Sequence, residues 1–283
     1  MRSRMLPVKG SRQQSNESAC GVTQDGAATE NLGPGARAAL IIAHPGHELR
    51  VHGWLEFAHP RVFVLSDGSG RSGVSRLAAT RRVLDAAGAE AGSIFGWLSD
   101  REFYDTLLAG DVERFVRLAE TLSDALVREQ VDYVAGDNVE GYNPAHDLCR
   151  RVIDTAAALA AAQGRAVANF EFPVVGAAVA PHQRTMNFHL SDEALSRKIA
   201  AARSYIELWS EVDAALKVTE ESELRVEKLN PVDKPFERAE PSDDPPFYET
   251  YGEGQVNAGY YEKVLRYREH VAPVMDALKK RIS

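Results

Sequence analysis

His44, His47 and His146 are the residues of this sequence best suited to chemistry. His44 and His47 lie three apart in Ala43-His-Pro-Gly-His-Glu48, and His146 lies in Gly141-Tyr-Asn-Pro-Ala-His-Asp147. Each stretch follows a short apolar run, Ala38 to Ala43 and Val131 to Ala135, of the kind that forms a strand buried on both faces. The Pro-Gly after His44 marks a turn, and helical spacing resumes from Glu48 to Phe57. In an open parallel sheet the carboxyl ends of the strands share one edge, so two such corners can meet there despite their separation in sequence. Three protein ligands with an open fourth position is the arrangement of catalytic zinc. Such a centre activates a water and polarises a carbonyl. The plainer alternative makes each imidazole a surface or helix-capping residue.

The elements that must position these residues alternate along the chain. Arg61 to Leu65 is a second apolar strand, closed by the Ser66 to Gly70 loop. Val74 to Ala87 has helical spacing, Ser93 to Leu98 reads as a weaker strand, and Asp111 to Gln130 as a long amphipathic helix. His146 to Ala162 is helical and Ala166 to Phe172 extended. This β-α-β-α order predicts an α/β fold, a Rossmann-like doubly wound, mostly parallel sheet. Ser191 caps a helix running through Tyr205, with more helix to about residue 218. Residues 230–247 are rich in Pro and charge and read as a surface excursion, and residues 261–282 as a terminal helix. The part after Pro181 is therefore expected to be a helical C-terminal extension of one domain spanning residues 36–283.

Composition narrows the function classes. Of 283 residues, 44% are hydrophobic and 26% charged, enough for a sizeable core. The net charge of -8 and the lack of a basic patch argue against nucleic acid or an anionic membrane as partner. No apolar run is long enough to span a bilayer. Cys20 and Cys149 do not form a disulfide framework, which predicts a reducing compartment. Residues 1–35 are polar, without hydrophobic period, and are expected to be a disordered tail rather than a secretory signal. A cytoplasmic location is the expectation. No Gly-x-Gly-x-x-Gly follows the first strand, so a dinucleotide site is not supported.

Residues 36–210 resemble the PIG-L-like (LmbE-like) family of zinc-dependent N-deacetylases. That family carries Ala-His-Pro-Asp-Asp-Glu after its first strand and His-Pro-Asp-His after a later one; here stand Ala43-His-Pro-Gly-His-Glu48 and Asn143-Pro-Ala-His146. Leu65-Ser-Asp-Gly68, the helix from Arg76, and Lys198 to Tyr205 also sit where the family has a Thr-Asp-Gly type loop, its next helix, and a Lys-x-x-Ala-x-x-x-Tyr helix. The resemblance implies Zn2+ on His44, His47 and His146, with His47 replacing an Asp ligand. It implies a small-molecule substrate, an N-acetylated amino-sugar derivative. The family's general-base Asp falls on Gly46, and its assisting His and Asp fall on Asn143 and Ala145. Three neutral imidazoles leave zinc at a charge near +2, which lowers the pKa of a bound water further than a set containing a carboxylate. Metal hydroxide could then form without a dedicated base. Asp137 and Glu48 are the candidate catalytic carboxylates. Arg71, Tyr142, Asn143 and Asp67 are the candidate substrate contacts. The alternative is a family member that keeps the fold and binds a metal or ligand without turnover. His52, His59, His182, His189 and His270 are read as ordinary polar or surface residues, His52 alone being close enough in sequence to approach the site.

Overall fold

The computed structural model describes residues 16–17, 20–25, 32, 35–175, 182–236 and 244–283. The chain enters with two short strands, β1 (Asn16–Glu17) and β2 (Val22–Asp25), and then the central strand β3 (Ala38–Ile42). A 3-10 turn, His47–Val51, leads into α1 (His52–Ala58). The alternation continues through β4 (Arg61–Ser66), α2 (Leu77–Ala87) and β5 (Glu90–Leu98). Helices α3 (Asp100–Leu108) and α4 (Val112–Arg128) precede β6 (Tyr133–Asp137), α5 (Pro144–Ala162) and β7 (Ala168–Phe172). Beyond residue 181 come β8 (Met186–Leu190), α6 (Asp192–Arg203), α7 (Trp209–Val218), α8 (Glu221–Leu224) and β9 (Val226–Pro231). The described chain ends with α9 (Phe247–Asn257), a π turn over Tyr267–Val271, and α10 (Ala272–Lys280).

The described strands make one nine-stranded mixed sheet, ordered β1-β2-β8-β9-β7-β6-β3-β4-β5. From β7 to β5 every neighbouring pair is parallel; from β7 outward to β1 every pair is antiparallel. β3 lies centrally, with Ile41 opposite Phe63 on one side and Gly136 on the other. Its residues alternate between two cores, as the two-residue period of a strand requires. Ala39 and Ile41 pack with α3, α4, α5 and α10, whereas Leu40 and Ile42 pack with α1, α2 and α6. Each fully buried Ile, Leu or Phe contributes about 1.5–3 kcal/mol on leaving water. Gly136 is required where α5 crosses: a Cβ there would lie 2.5 Å from the Ile41 carbonyl and 2.3 Å from Ile153 Cδ1.

This topology makes the site. After β3 the chain turns to one face of the sheet, and after the adjacent β6 it turns to the other. The two loops diverge and leave a crevice at the carboxyl edge, where open α/β sheets bind their ligands.

Several sequence expectations change. Val22–Asp25 is a strand between β1 and β8, and Val22 is fully buried, so the expected disordered tail does not hold for that segment; most of residues 1–34 lies outside the described residues. Helix α3 was not anticipated. The part beyond residue 181 is not simply helical, because β8 and β9 extend the sheet. The start of the expected Pro-rich excursion is the end of β9, with Asn230 opposite Glu171 and Pro231 opposite Phe170. Pro231 is tolerated there because it closes the strand; residues 237–243 lie outside the described residues.

Candidate metal and active site

The first histidine corner is built by backbone geometry. Gly46 has φ 105°, a left-handed conformation that reverses the chain between His44 and His47. The turn is braced from within: the Gly46 N–H donates to Glu48 Oε2 at 2.7 Å, and the Tyr205 hydroxyl donates to Glu48 Oε1. Thr80 Oγ1 meets the same Tyr205 hydroxyl at 2.8 Å. The second corner is the start of α5. Asn143 caps it, its Oδ1 accepting from the Ala145 N–H at 2.8 Å, with Pro144 in the first turn. His146 therefore projects from the first turn of a helix.

The two corners meet. Ring centroids lie 5.5 Å apart for His44 and His47, 5.3 Å for His44 and His146, and 4.5 Å for His47 and His146. Buried carboxylates stand behind two of the rings. His47 Nδ1 is 2.9 Å from Asp137 Oδ2, which also accepts from the Ala43 N–H at 2.8 Å. His44 Nδ1 is 2.7 Å from Ser66 Oγ and 3.3 Å from Asp100 Oδ1, so its hydrogen bond goes to the serine while the carboxylate stands within ion-pair reach. Buried His44 Nε2 and His146 Nδ1 have no hydrogen-bond partner. Burial, reinforced by His47 and His44, pushes the His146 pKa well below that of an ordinary imidazole. Burial alone would raise the Asp100 carboxyl, but His44, Ser66 and the Gly70 N–H outweigh it and hold the group well below the usual carboxylate range.

The donor chemistry suits a divalent metal such as zinc: three imidazoles, two of them backed by carboxylates. The ring positions suit it as well. With nitrogen–zinc lengths near 2.1 Å and about 1.1 Å from nitrogen to ring centre, imidazoles sharing a tetrahedral ion place their centroids roughly 5 Å apart. Among the described residues, however, no group of three or more His, Cys, Asp or Glu side chains is disposed to hold a metal ion as it stands. The rings are gathered, and their nitrogens do not form a complete ligand set.

The remaining expected site residues divide into scaffold and wall. Glu48 is fully buried, does not line the crevice, and has its oxygens occupied in bracing the Gly46 turn; burial raises its pKa. Asp137 is fully buried behind His47. Asp67 accepts from the N–H groups of Ser69 at 2.9 Å and Asp100 at 3.1 Å, which holds two loops together. Arg71, Tyr142 and Asn143 line a cavity of about 1890 Å³ together with the three histidines. Arg71 lies over the Tyr260 ring at 4.6 Å, and Tyr142 stacks on Phe247. Sequence reasoning missed Asp100, Ser66 and Tyr104. Asp100 was detectable, because Ser99-Asp-Arg-Glu102 is a capping-box pattern directly after an apolar strand. Tyr104 donates from its hydroxyl to Asn143 Oδ1 at 3.2 Å, and burial holds its proton on.

No protein-family model and no curated protein matches this sequence. Among solved structures the chain is similar to the conserved protein TT1542 from Thermus thermophilus, with a TM-score of 0.48 and 19% identity over 72% of this chain and 100% of that one. It is similar to a triple mutant of a deacetylase of the teicoplanin biosynthetic pathway, with a TM-score of 0.45 and 15% identity over 69% of this chain and 97% of that one. It is also similar to the zinc-inhibited form of teicoplanin deacetylase Orf2, with a TM-score of 0.39 and 13% identity over 69% of this chain and 99% of that one. At these scores and identities the likenesses carry nothing about what this chain binds or turns over.

Proposed function

We propose that this chain is a zinc-dependent amide hydrolase that removes the acetyl group of an N-acetylated amino-sugar derivative. The observation that carries the reading is the meeting of His44, His47 and His146 at the carboxyl edge of the parallel strands, with Asp137 and Ser66 behind two of them and a large cavity in front. His44, His47 and His146 would hold the ion. Bound zinc would polarise the amide carbonyl and bring the pKa of a coordinated water to about 7.

The chain's own groups do the positioning. A carboxylate only accepts, so Asp137 requires the proton of His47 on Nδ1 and turns the lone pair of Nε2 outward. The low pKa of His146 keeps that ring neutral and able to donate a lone pair. Tyr104, still a phenol at neutral pH, offers a hydroxyl in the cavity wall. Arg71, Tyr142 and Asn143 face the space a substrate would occupy.

The second reading, metal or ligand binding without turnover, is favoured by one observation. Gly46 and Ala145 carry no ionisable side chain, and Asp100 and Asp137 already stand against histidines. The test is zinc content after dialysis against zinc, together with amine release from N-acetylglucosaminides, for the wild type and His146→Ala. One zinc per chain and zinc-dependent amine release are expected in the wild type. The variant should lose both, with activity down at least about 100-fold and the far-ultraviolet spectrum unchanged. Zinc without amine release supports the second reading, and no zinc at all overturns the metal centre.

A further inference from the structure

We infer that Lys198 and Glu227, a buried ion pair apart from the histidine cluster, are positioning residues for His47. From α6 and β9 they clasp the backbone on both sides of the joint between the His47–Val51 turn and α1. The inference rests on the metal reading only for what His47 does once it is held.

The local sequence leaves this joint open. The first N–H groups of a helix have no partner within it, and a Ser, Thr, Asp or Asn side chain ordinarily supplies one. Here Val51 stands at that position, with φ -125° and ψ 34°, and no side-chain cap is made. The partner comes from far along the chain. Glu227 Oε1 accepts from the Gly53 N–H at 2.9 Å, and Oε2 from the Trp54 N–H at 2.8 Å. Gly53 makes room for the carboxylate, since a Cβ there would lie 2.9 Å from Leu190 Cδ1 and 3.3 Å from Glu227 Oε2. Lys198 Nζ donates to Glu227 Oε1 at 2.8 Å. It also donates to the Arg50 carbonyl, on the other side of the joint, at 3.3 Å, and to the Leu224 carbonyl at 3.4 Å.

These bonds commit the pair to the chain itself. An ammonium has three donors, and Lys198 has three acceptors around it. Both Glu227 oxygens accept from backbone N–H groups, and the two side chains are only 1% exposed for Glu227 and 11% for Lys198. The pair therefore acts through what it holds, which is one end of a five-residue turn. His47 opens that turn, and Glu48 and Tyr205 brace its front at Gly46, so Lys198 and Glu227 secure the rear. The His47 ring must meet Asp137 Oδ2 at 2.9 Å, and a hydrogen bond weakens steeply once its geometry drifts. Removing one member of a buried pair leaves the other charge uncompensated, so the loss of either should shift the turn.

The test reads His47 in the metal-free full chain and then adds zinc alone. The Nδ1–H of His47, held by Asp137, should give a downfield imidazole proton resonance in the wild type, assigned by its loss in His47→Gln. In Glu227→Gln, whose amide nitrogen cannot accept from a backbone N–H, that resonance should broaden or vanish. Zinc affinity, read by competition with a chelating indicator, should fall at least about tenfold, while the far-ultraviolet spectrum stays unchanged. Leu278→Ala, in the core on the opposite face of the sheet, should lower the unfolding free energy and leave both readouts as in the wild type. That control separates positioning from a general loss of stability. Lys198→Met takes the place of Glu227→Gln if the latter does not fold. A wild type without the resonance, a pair variant that keeps it, both readouts altered equally by Leu278→Ala, or failure of both pair variants to fold overturns the inference. Loss of the resonance in the pair variant, with no zinc bound by the wild type or with zinc affinity unchanged, leaves the positioning standing and removes only the metal role of His47.

Discussion

The residue on which the metal reading turns most sharply is Asp137. It is fully buried, Oδ2 accepts from both Ala43 N–H and His47 Nδ1, and Oδ1 has no hydrogen-bond partner. A carboxylate so placed fixes the tautomer of the imidazole in front of it. An asparagine in its place would have nearly the same shape, and its amide could donate to Nδ1, which would move the imidazole proton to Nε2. Asp137→Asn is therefore expected to weaken zinc binding about 10–100-fold, read by competition with a chelating indicator, while the far-ultraviolet spectrum stays unchanged. Unaltered zinc affinity would mean that Asp137 does not orient His47. Gly46 also reads differently in three dimensions. In the sequence it marks the loss of a carboxylate; in the fold its φ of 105° and a Cβ position 2.6 Å from Leu208 Cδ1 make glycine the residue the turn accommodates.

At the scale of elements, Tyr205 links three pieces of chain: the turn after β3 through Glu48, α2 through Thr80, and the segment after α6 on which it sits. Burial raises the pKa of Glu48 and pushes that of Tyr205 well above an ordinary phenol, so the hydroxyl remains a donor. Tyr205→Phe removes that donor and leaves a buried carboxyl oxygen and the Thr80 hydroxyl short of a partner. The expected cost is about 1–3 kcal/mol in urea denaturation, since an unsatisfied buried polar group costs that much. A loss well under 1 kcal/mol would show that water replaces the hydroxyl. This link was only partly legible in the sequence. Lys198 to Tyr205 stood out as a pattern, yet nothing in its spacing tells that Tyr205 reaches back to Glu48, because the contact depends on β8 and α6 folding over α1.

Across the whole molecule, local period and chain order carried most of the fold: β3 and β4 begin where their apolar runs begin, β6 lies two residues beyond the expected Val131 to Ala135 and takes in Asp137, and the order of helices between them sets the crevice. The antiparallel wing was not legible. β8 alternates buried and half-buried or exposed residues, and β9, Val-Glu-Lys-Leu-Asn-Pro, has no apolar run, so each becomes a strand only by pairing with distant partners. The same wing encloses His52, which sequence reasoning left among ordinary polar residues. His52 is buried, its Nδ1 has no hydrogen-bond partner, and burial lowers its pKa against the attraction of Glu56 and Glu227, with Lys198 and Arg197 lowering it further. The folded protein thus binds this proton less readily than the unfolded chain, whose histidine titrates near 6.5. Above that pH both states are neutral at His52 and its stability is fully present. As pH falls through 6.5 the unfolded state takes up a proton that the folded state refuses, and stability is lost. The raised pKa values of Glu48 and Asp147, the latter at about 6, act in the opposite direction, because the folded state holds those protons more tightly. The comparison that isolates His52 is wild type against His52→Gln, with unfolding free energies measured from pH 7.5 to 5. The wild type should lose stability faster on acidification, by up to about 1.4 kcal/mol per pH unit for one proton, so that the gap between the two proteins shifts in favour of the variant. Parallel curves would show that His52 gains its proton in the folded state as easily as in water.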